Sequence, residues 1–236
     1  MTMLASADGC RGGWLVAKCN SWPCEYTPYL AICADFRSLV EFTRDCERVV
    51  VDIPIGLPAG TQVRYCDVKA RGLLAKDGAS SVVFDAPPRE TLPARSTEEF
   101  QRLHKESRKK GAGWPVWGIL PKIKEADEAM TPALQRRIYE FHPELVWLRV
   151  AGRYLGPKHD KPGLTNRVNA LDAYVPSLKQ VLQWKKGLGA AAKLDDVLDA
   201  VIGLAVADAS LKSKKYKLPQ DATEADKKGL FMEMWY

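Results

Sequence analysis

The sequence predicts an α/β protein: a mixed five-stranded sheet, its first three strands antiparallel, flanked by helices. Three observations carry this. Three short apolar runs lie close together at the N-terminus with turn residues between them, the pattern of a meander. RVVVDI is an unbroken, β-branched run, as expected of a strand buried on both faces. Helical spacing then dominates, broken by one more extended stretch, RRIYEF, which supplies the fifth strand.

Each element follows in order. MTMLASAD is the first strand, and Gly9, Gly12 and Gly13 suit the tight turn after it. WLVAKC is the second strand and EYTPYLAIC the third. ADFRSLVEFTRDC has helical spacing, with Phe36, Leu39, Val40 and Phe42 near one face and an N-cap at Ala34-Asp35. RVVVDI is the fourth strand. Residues 61–76 and 97–110 read as helices separated by a loop rich in Ser, Pro and Gly. In PVWGILPKIKEADEAM, Pro121 predicts that the helix starts only after it. RRIYEFHPEL is a strand entering a helix at Pro143, and after two or three further helices LDDVLDAVIGLAVADASL closes the core. Residues 1–210 are thus expected to form one domain, with a helical insertion over about 60–135 after the fourth strand. Residues 211–236 are expected to be a polar tail.

Composition bounds the function. The chain has 236 residues, 46% apolar and 27% charged, enough for one sizeable core and too ordered for a disordered segment. Its formal net charge of +6 permits a phosphate-rich partner without demanding one. No run approaches the roughly 20 apolar residues of a membrane span, and MTMLASAD has no basic leader. A cytoplasmic protein is expected, with Cys10, Cys19, Cys24, Cys33, Cys46 and Cys66 as reduced thiols.

Four aspartates stand where apolar runs meet irregular chain or a helix start: Asp8, Asp52, Asp196 and Asp199. Carboxylates at strand ends and on one helical turn are a way to collect divalent cations for phosphodiester chemistry. Each has a plainer role open to it. Asp8 can cap the glycine turn, and Asp52 can end a strand before Ile53-Pro54. Asp196 and Asp199 share a helix face at i and i+3. The helix dipole favours acids in its first turn. That accounts for Asp195, as a capping or first-turn residue, and for Asp196, but poorly for Asp199, which lies amid Ala, Val, Leu and Ile. In YEFHPEL, Glu140, His142 and Glu144 alternate onto one side, with Tyr139 and Phe141 on the other. Glu140 and His142 are then a ligand and a general base, or an acid paired to Arg136 or Arg137 and a helix cap. Lys105, Arg108, Lys109, Lys110, Lys122 and Lys124, with Trp114 and Trp117 between, form a phosphate-and-base surface or a solvated face over core tryptophans.

Together DGCRGGW, VDIPIGLP, CDVKARGLL, SSVVFDAPPR, WGILPKIKEAD, EFHPEL and DDVLDAVIGLA resemble domain-of-unknown-function family 429. Its members are predicted nucleases of ribonuclease H-like fold, related to the Holliday-junction resolvases. The resemblance implies a ribonuclease H-like mixed sheet and a carboxylate site for Mg²⁺ or Mn²⁺ held by Asp8, Asp52, Asp196 and Asp199. The residues themselves, rather than the resemblance, put forward Glu140 and His142 as catalytic and Arg11, Lys122, Lys124 and Trp117 as substrate contacts. The expected activity is hydrolysis of nucleic-acid phosphodiesters. The alternatives are a non-catalytic nucleic-acid-binding or regulatory module and a hydrolase of a small phosphorylated metabolite.

Overall fold

The computed structural model describes residues 2–108, 111, 113–176, 178–221 and 223–236. Its centre is a mixed five-stranded sheet in the order β3-β2-β1-β4-β5. The strands are β1 (Leu4–Cys10), β2 (Gly13–Cys19), β3 (Tyr29–Cys33), β4 (Arg48–Val51) and β5 (Ile138–Glu140). β1 to β3 form the expected antiparallel meander, whereas β4 and β5 run parallel to β1. Gly13 makes the first turn possible. Its φ is +128°, and a Cβ there would meet the Cys33 carbonyl at 2.1 Å, so only glycine fits.

The two-residue period of β1 divides it between two cores. Leu4 joins the core under α5 (Pro143–Ala151), α6 (Lys161–Asp172), α7 (Leu178–Gly187), α8 (Leu194–Ile202) and α9 (Leu204–Lys212). Ala5 and Ala7 join the opposite core, under α1 (Phe36–Phe42), α3 (Thr97–Arg108) and α4 (Trp114–Ala129). In the same alternation Asp8 lies across from Leu15, on the α8 side. The aspartate that caps α1 is Asp35, which accepts from the Ser38 N–H at 2.7 Å.

Several boundaries differ from the expectation, each for a local reason. β3 begins at Tyr29, after Pro28, which has no N–H for a ladder. α2 (Tyr65–Ala75) starts four residues later than 61–76 predicts, because Arg64 is extended and its side chain is drawn inward. α4 runs straight through Pro121. Its buried stripe of Val116, Leu120, Ile123 and Ala126 outweighs the loss of one helical hydrogen bond, which costs about 3 kcal/mol. The closing helix is two helices, α8 and α9, interrupted at Gly203.

The break at Gly203 is a close crossing. A Cβ there would lie 1.9 Å from Ser6 Oγ and 2.6 Å from the Phe141 ring. Gly203→Ala is expected to cost about 2–3 kcal/mol through overpacking and to lower Tm by roughly 4–12 °C, read by thermal unfolding. An unchanged Tm would show that β1 and α9 can part without cost.

The segment expected as a polar tail is part of the core. Leu230, Met232, Met234 and Trp235 are buried. Residues Lys217–Leu218 (β6) and Met234–Trp235 (β7) pair with each other, and Trp235 bridges to Phe141 and stacks on Tyr139 at 5.0 Å. This covers the β5 edge, which would otherwise present unpaired backbone groups. All six cysteines are buried and free. Among the described residues no helix is long and apolar enough to cross a membrane.

Candidate carboxylate site

The ends of β1, β4 and β5 and the start of α8 meet around a cavity of about 210 Å³. Asp8, Asp52 and Asp196 line it together with Glu140, His142, Lys122 and Lys158. Three of the four predicted aspartates, from opposite ends of the chain, therefore share one cavity. Asp199 lies just behind it, fully buried. Its Oδ1 accepts from Trp147 Nε1 at 2.8 Å and its Oδ2 from Lys158 Nζ at 2.9 Å.

The local sequence explains each placement. Asp8 is carried to the α8 side by the β1 period. Asp52 extends the β4 ladder by one residue, its N–H donating to the Ala7 carbonyl at 3.0 Å. Asp196 is the third residue of α8 and reaches back to accept from the Lys193 N–H at 2.7 Å. Asp195 stands in the first turn of α8, as one of its two expected roles has it, while the capping bond is made by Asp196.

The cluster is electrostatically frustrated. Asp8 is 7% exposed and, among the described residues, has neither a hydrogen bond nor an ion pair. Burial pushes its carboxyl well above the usual range, and Asp52 and Asp199 push it further. Burial likewise lifts Asp52 to about 7; Lys158 opposes this, and Asp199 adds to it. Asp196 is raised by burial against the pull of the Lys193 N–H. Burial disfavours the Lys158 ammonium, yet Asp199, Asp8 and Asp52 together outweigh it and hold Lys158 above the ordinary lysine range.

Glu140 projects from the other side of β5 and is clamped. Both its oxygens bind the Arg64 guanidinium, and Oε2 also accepts from the Ile55 N–H at 2.7 Å. Its partner is Arg64, not Arg136 or Arg137. Burial raises its carboxyl while Arg64 pulls it down. His142 is the N-cap residue of α5 but makes no side-chain capping bond. Burial first, and Lys158 second, lower its pKa to about 4, so the ring is neutral at pH 7. Among the described residues its buried Nδ1 has no hydrogen-bond partner. Glu144 is committed elsewhere, in a buried pair with Arg167 at 2.6 and 2.8 Å.

Of the residues expected on the substrate, only Lys122 lines the cavity. Its ammonium is held by the Gly13 carbonyl at 2.6 Å and lies over the Trp14 ring. Arg11, Lys124 and Trp117 are not in the cavity wall. Arg11 is exposed, Lys124 faces Glu128, and Trp117 packs on Phe100. Lys109, Lys110 and the Trp114 side chain lie outside the described residues. Nothing in the pattern of the GPKHDKPG loop marks Lys158 in advance. Arg64 had only the weak signal of an Arg and an Asp at i and i+3.

Among the described residues, no group of three or more His, Cys, Asp or Glu side chains is arranged to hold a metal ion. Asp199 and Asp196 are turned to other partners. The donor chemistry still suits a hard cation: Asp8 and Asp52 both line the cavity, and among the described residues neither carboxylate has a hydrogen bond or ion pair, which leaves their oxygen donors uncommitted.

Comparison with curated proteins and with solved structures returned no match. The model of the family described as "Protein of unknown function (DUF429)" matches residues 7–224, nearly the whole chain, and the chain belongs to that family.

Proposed function

We propose that this protein is a divalent-metal-dependent hydrolase of nucleic-acid phosphodiesters, built on a ribonuclease H-like core. One observation carries the reading: aspartates from β1, the end of β4 and α8 share one cavity, and one of them, Asp8, is buried and has no hydrogen bond or ion pair among the described residues. The three antiparallel strands followed by two parallel ones support the core assignment.

Asp8, Asp52 and Asp196 would hold Mg²⁺ or Mn²⁺, with Asp199 behind them. When bound, such a cation stabilises charge developing on a phosphoryl oxygen. The remaining roles fall to the chain itself. Ile53, Phe84 and Ile119 form apolar walls that exclude bulk water and strengthen charge interactions inside. Lys122 adds positive potential from a fixed position. His142 lines the cavity as a neutral ring, suited to hydrogen-bond a water or a substrate oxygen rather than to hold a proton.

A second reading has its own support. Pockets for drug-sized ligands span roughly 300–1,000 Å³, and this cavity is about 210 Å³. It suits a phosphate with little attached, as in a small phosphorylated metabolite, or a single scissile phosphate of a longer strand. The test is a cleavage panel of single-stranded, duplex and branched DNA, RNA and small phosphomonoesters with Mg²⁺ or Mn²⁺. The wild-type protein is expected to cut oligonucleotides, and Asp52→Asn to be slower by roughly 10²–10³-fold. Equal rates for both would reject the site. Turnover of small phosphomonoesters alone would establish the second reading.

A further inference from the structure

Lys158 is the one cation directly paired to the cluster among the described residues, and Asp199, Asp8 and Asp52 all act on it. Four carboxylates, Asp8, Asp52, Asp196 and Asp199, act on it or on one another, yet its single direct ion pair is with Asp199 at 2.9 Å. The side chain is 31% exposed, so a path to solvent exists. It belongs to the irregular stretch between α5 and α6, free of the helical hydrogen bonds that would fix its backbone. Asp199, by contrast, is anchored independently through Trp147 Nε1 at 2.8 Å. Removing Lys158 from the cluster would leave Asp199 in place and facing the other acids.

We propose that Lys158 is a displaceable internal counter-ion: it neutralises the carboxylate cluster in the metal-free protein, and a divalent cation takes over that role by expelling it. The inference rests on the carboxylate reading of the preceding subsection. It accounts for two observations together. Among the described residues the acids converge, yet they are not arranged around a metal position; Asp199 is turned to the Lys158 ammonium and Asp196 to the Lys193 N–H. A buried set of like charges is also costly unless its members stay protonated or meet a cation, and Lys158 supplies one to Asp199 without metal. Once expelled, the ammonium lies at the cavity mouth, where it meets an incoming phosphate.

Isothermal titration calorimetry with Mn²⁺ tests this on the wild-type chain and on Lys158→Met. Removing the competitor is expected to tighten Mn²⁺ binding at least about tenfold, whereas Lys158→Arg keeps the competition and stays near wild type. Equal or weaker Mn²⁺ binding by a folded Lys158→Met would overturn the counter-ion role while leaving the metal reading intact. Absence of Mn²⁺ binding in every form would overturn both. A second measurement needs no variant. Acetic anhydride labelling of Lys158 in the wild-type protein, mapped by mass spectrometry, is expected to rise several-fold when Mn²⁺ is added. Unchanged labelling at saturating Mn²⁺ would show that the ammonium stays in the cluster.

Discussion

Asp8→Asn is expected to reduce metal-dependent phosphoester hydrolysis by at least about 10³-fold, roughly 4 kcal/mol of transition-state stabilisation, and to make the metal-free protein more stable. The two effects have one cause. Asp8 is buried, unpartnered and surrounded by Asp52 and Asp199, so its carboxyl is raised well above the ordinary 3.8, first by burial and then by those neighbours. A raised acid keeps its proton longer folded than unfolded. Its contribution to stability is complete below its unfolded pKa and is lost as pH rises through the folded value. Asp52 follows the same course, its loss starting near pH 4 and ending near pH 7. Wild-type stability should therefore begin to fall near pH 4 through both groups, the Asp52 part being complete near pH 7. Asn cannot ionise, so the variant should show a shallower fall. At pH 8 without metal it should exceed wild type by about 1 kcal/mol, or roughly 2–4 °C in Tm. Adding Mn²⁺ should reverse the order, because the ion stabilises the form with more carboxylates. Differential scanning fluorimetry at pH 5 and pH 8, with and without Mn²⁺, reads all four values. An Asp8→Asn protein less stable than wild type at pH 8 without metal would mean that the Asp8 carboxylate is a structural cap after all.

What the sequence revealed of this site divides along a physical line. Strand ends and helix faces are periodic, so Asp8, Asp52 and the α8 acids were legible from spacing alone. The cavity joins all of them but Asp199, which it holds one layer back behind Lys158. The same periodicity was available at the C-terminus, where Leu230, Met232 and Met234 alternate with Phe231 and Glu233. There the surrounding charge obscured it, and nothing local says that the strand will close β5. Pairings across long separations leave no such trace. Arg64 meets Glu140 across 76 positions and Lys158 meets Asp199 across 41. A lysine or arginine in a loop looks the same in sequence whether it is solvated or buried. Pro121 misled for the opposite reason: its local rule is real, but four buried side chains on one helix face outvoted it.

Arg64→Ala is expected to be the most destabilising single change near the site, at about 3–5 kcal/mol, a fall of roughly 6–20 °C in Tm. Arg64 is 3% exposed. Nε donates to the Gly56 carbonyl at 3.0 Å, and Nη1 to Asp67 at 2.6 Å and to Glu140 at 3.0 Å. Nη2 donates to the Ile55 carbonyl at 3.0 Å and to Glu140. Alanine leaves two buried carboxylates without their cation, and each unpaired charge costs far more than the contact itself contributes. Lysine cannot replace the planar fork, so Arg64→Lys should recover only part of the loss. A double-mutant cycle separates the charge from the packing. Adding Glu140→Gln to Arg64→Ala should restore stability relative to Arg64→Ala alone, because the orphaned charge is then gone. Additivity of the two changes would show that the cost is only lost packing. The same clamp reaches the chemistry. Arg64 and Glu140 together fix both the N–H and the carbonyl of Ile55, in the turn that follows Asp52. Loosening it frees the Asp52 carboxylate to move away from Asp8. Variants that keep the fold but lose the clamp should therefore bind Mn²⁺ more weakly than wild type, although neither Arg64 nor Ile55 is a proposed ligand.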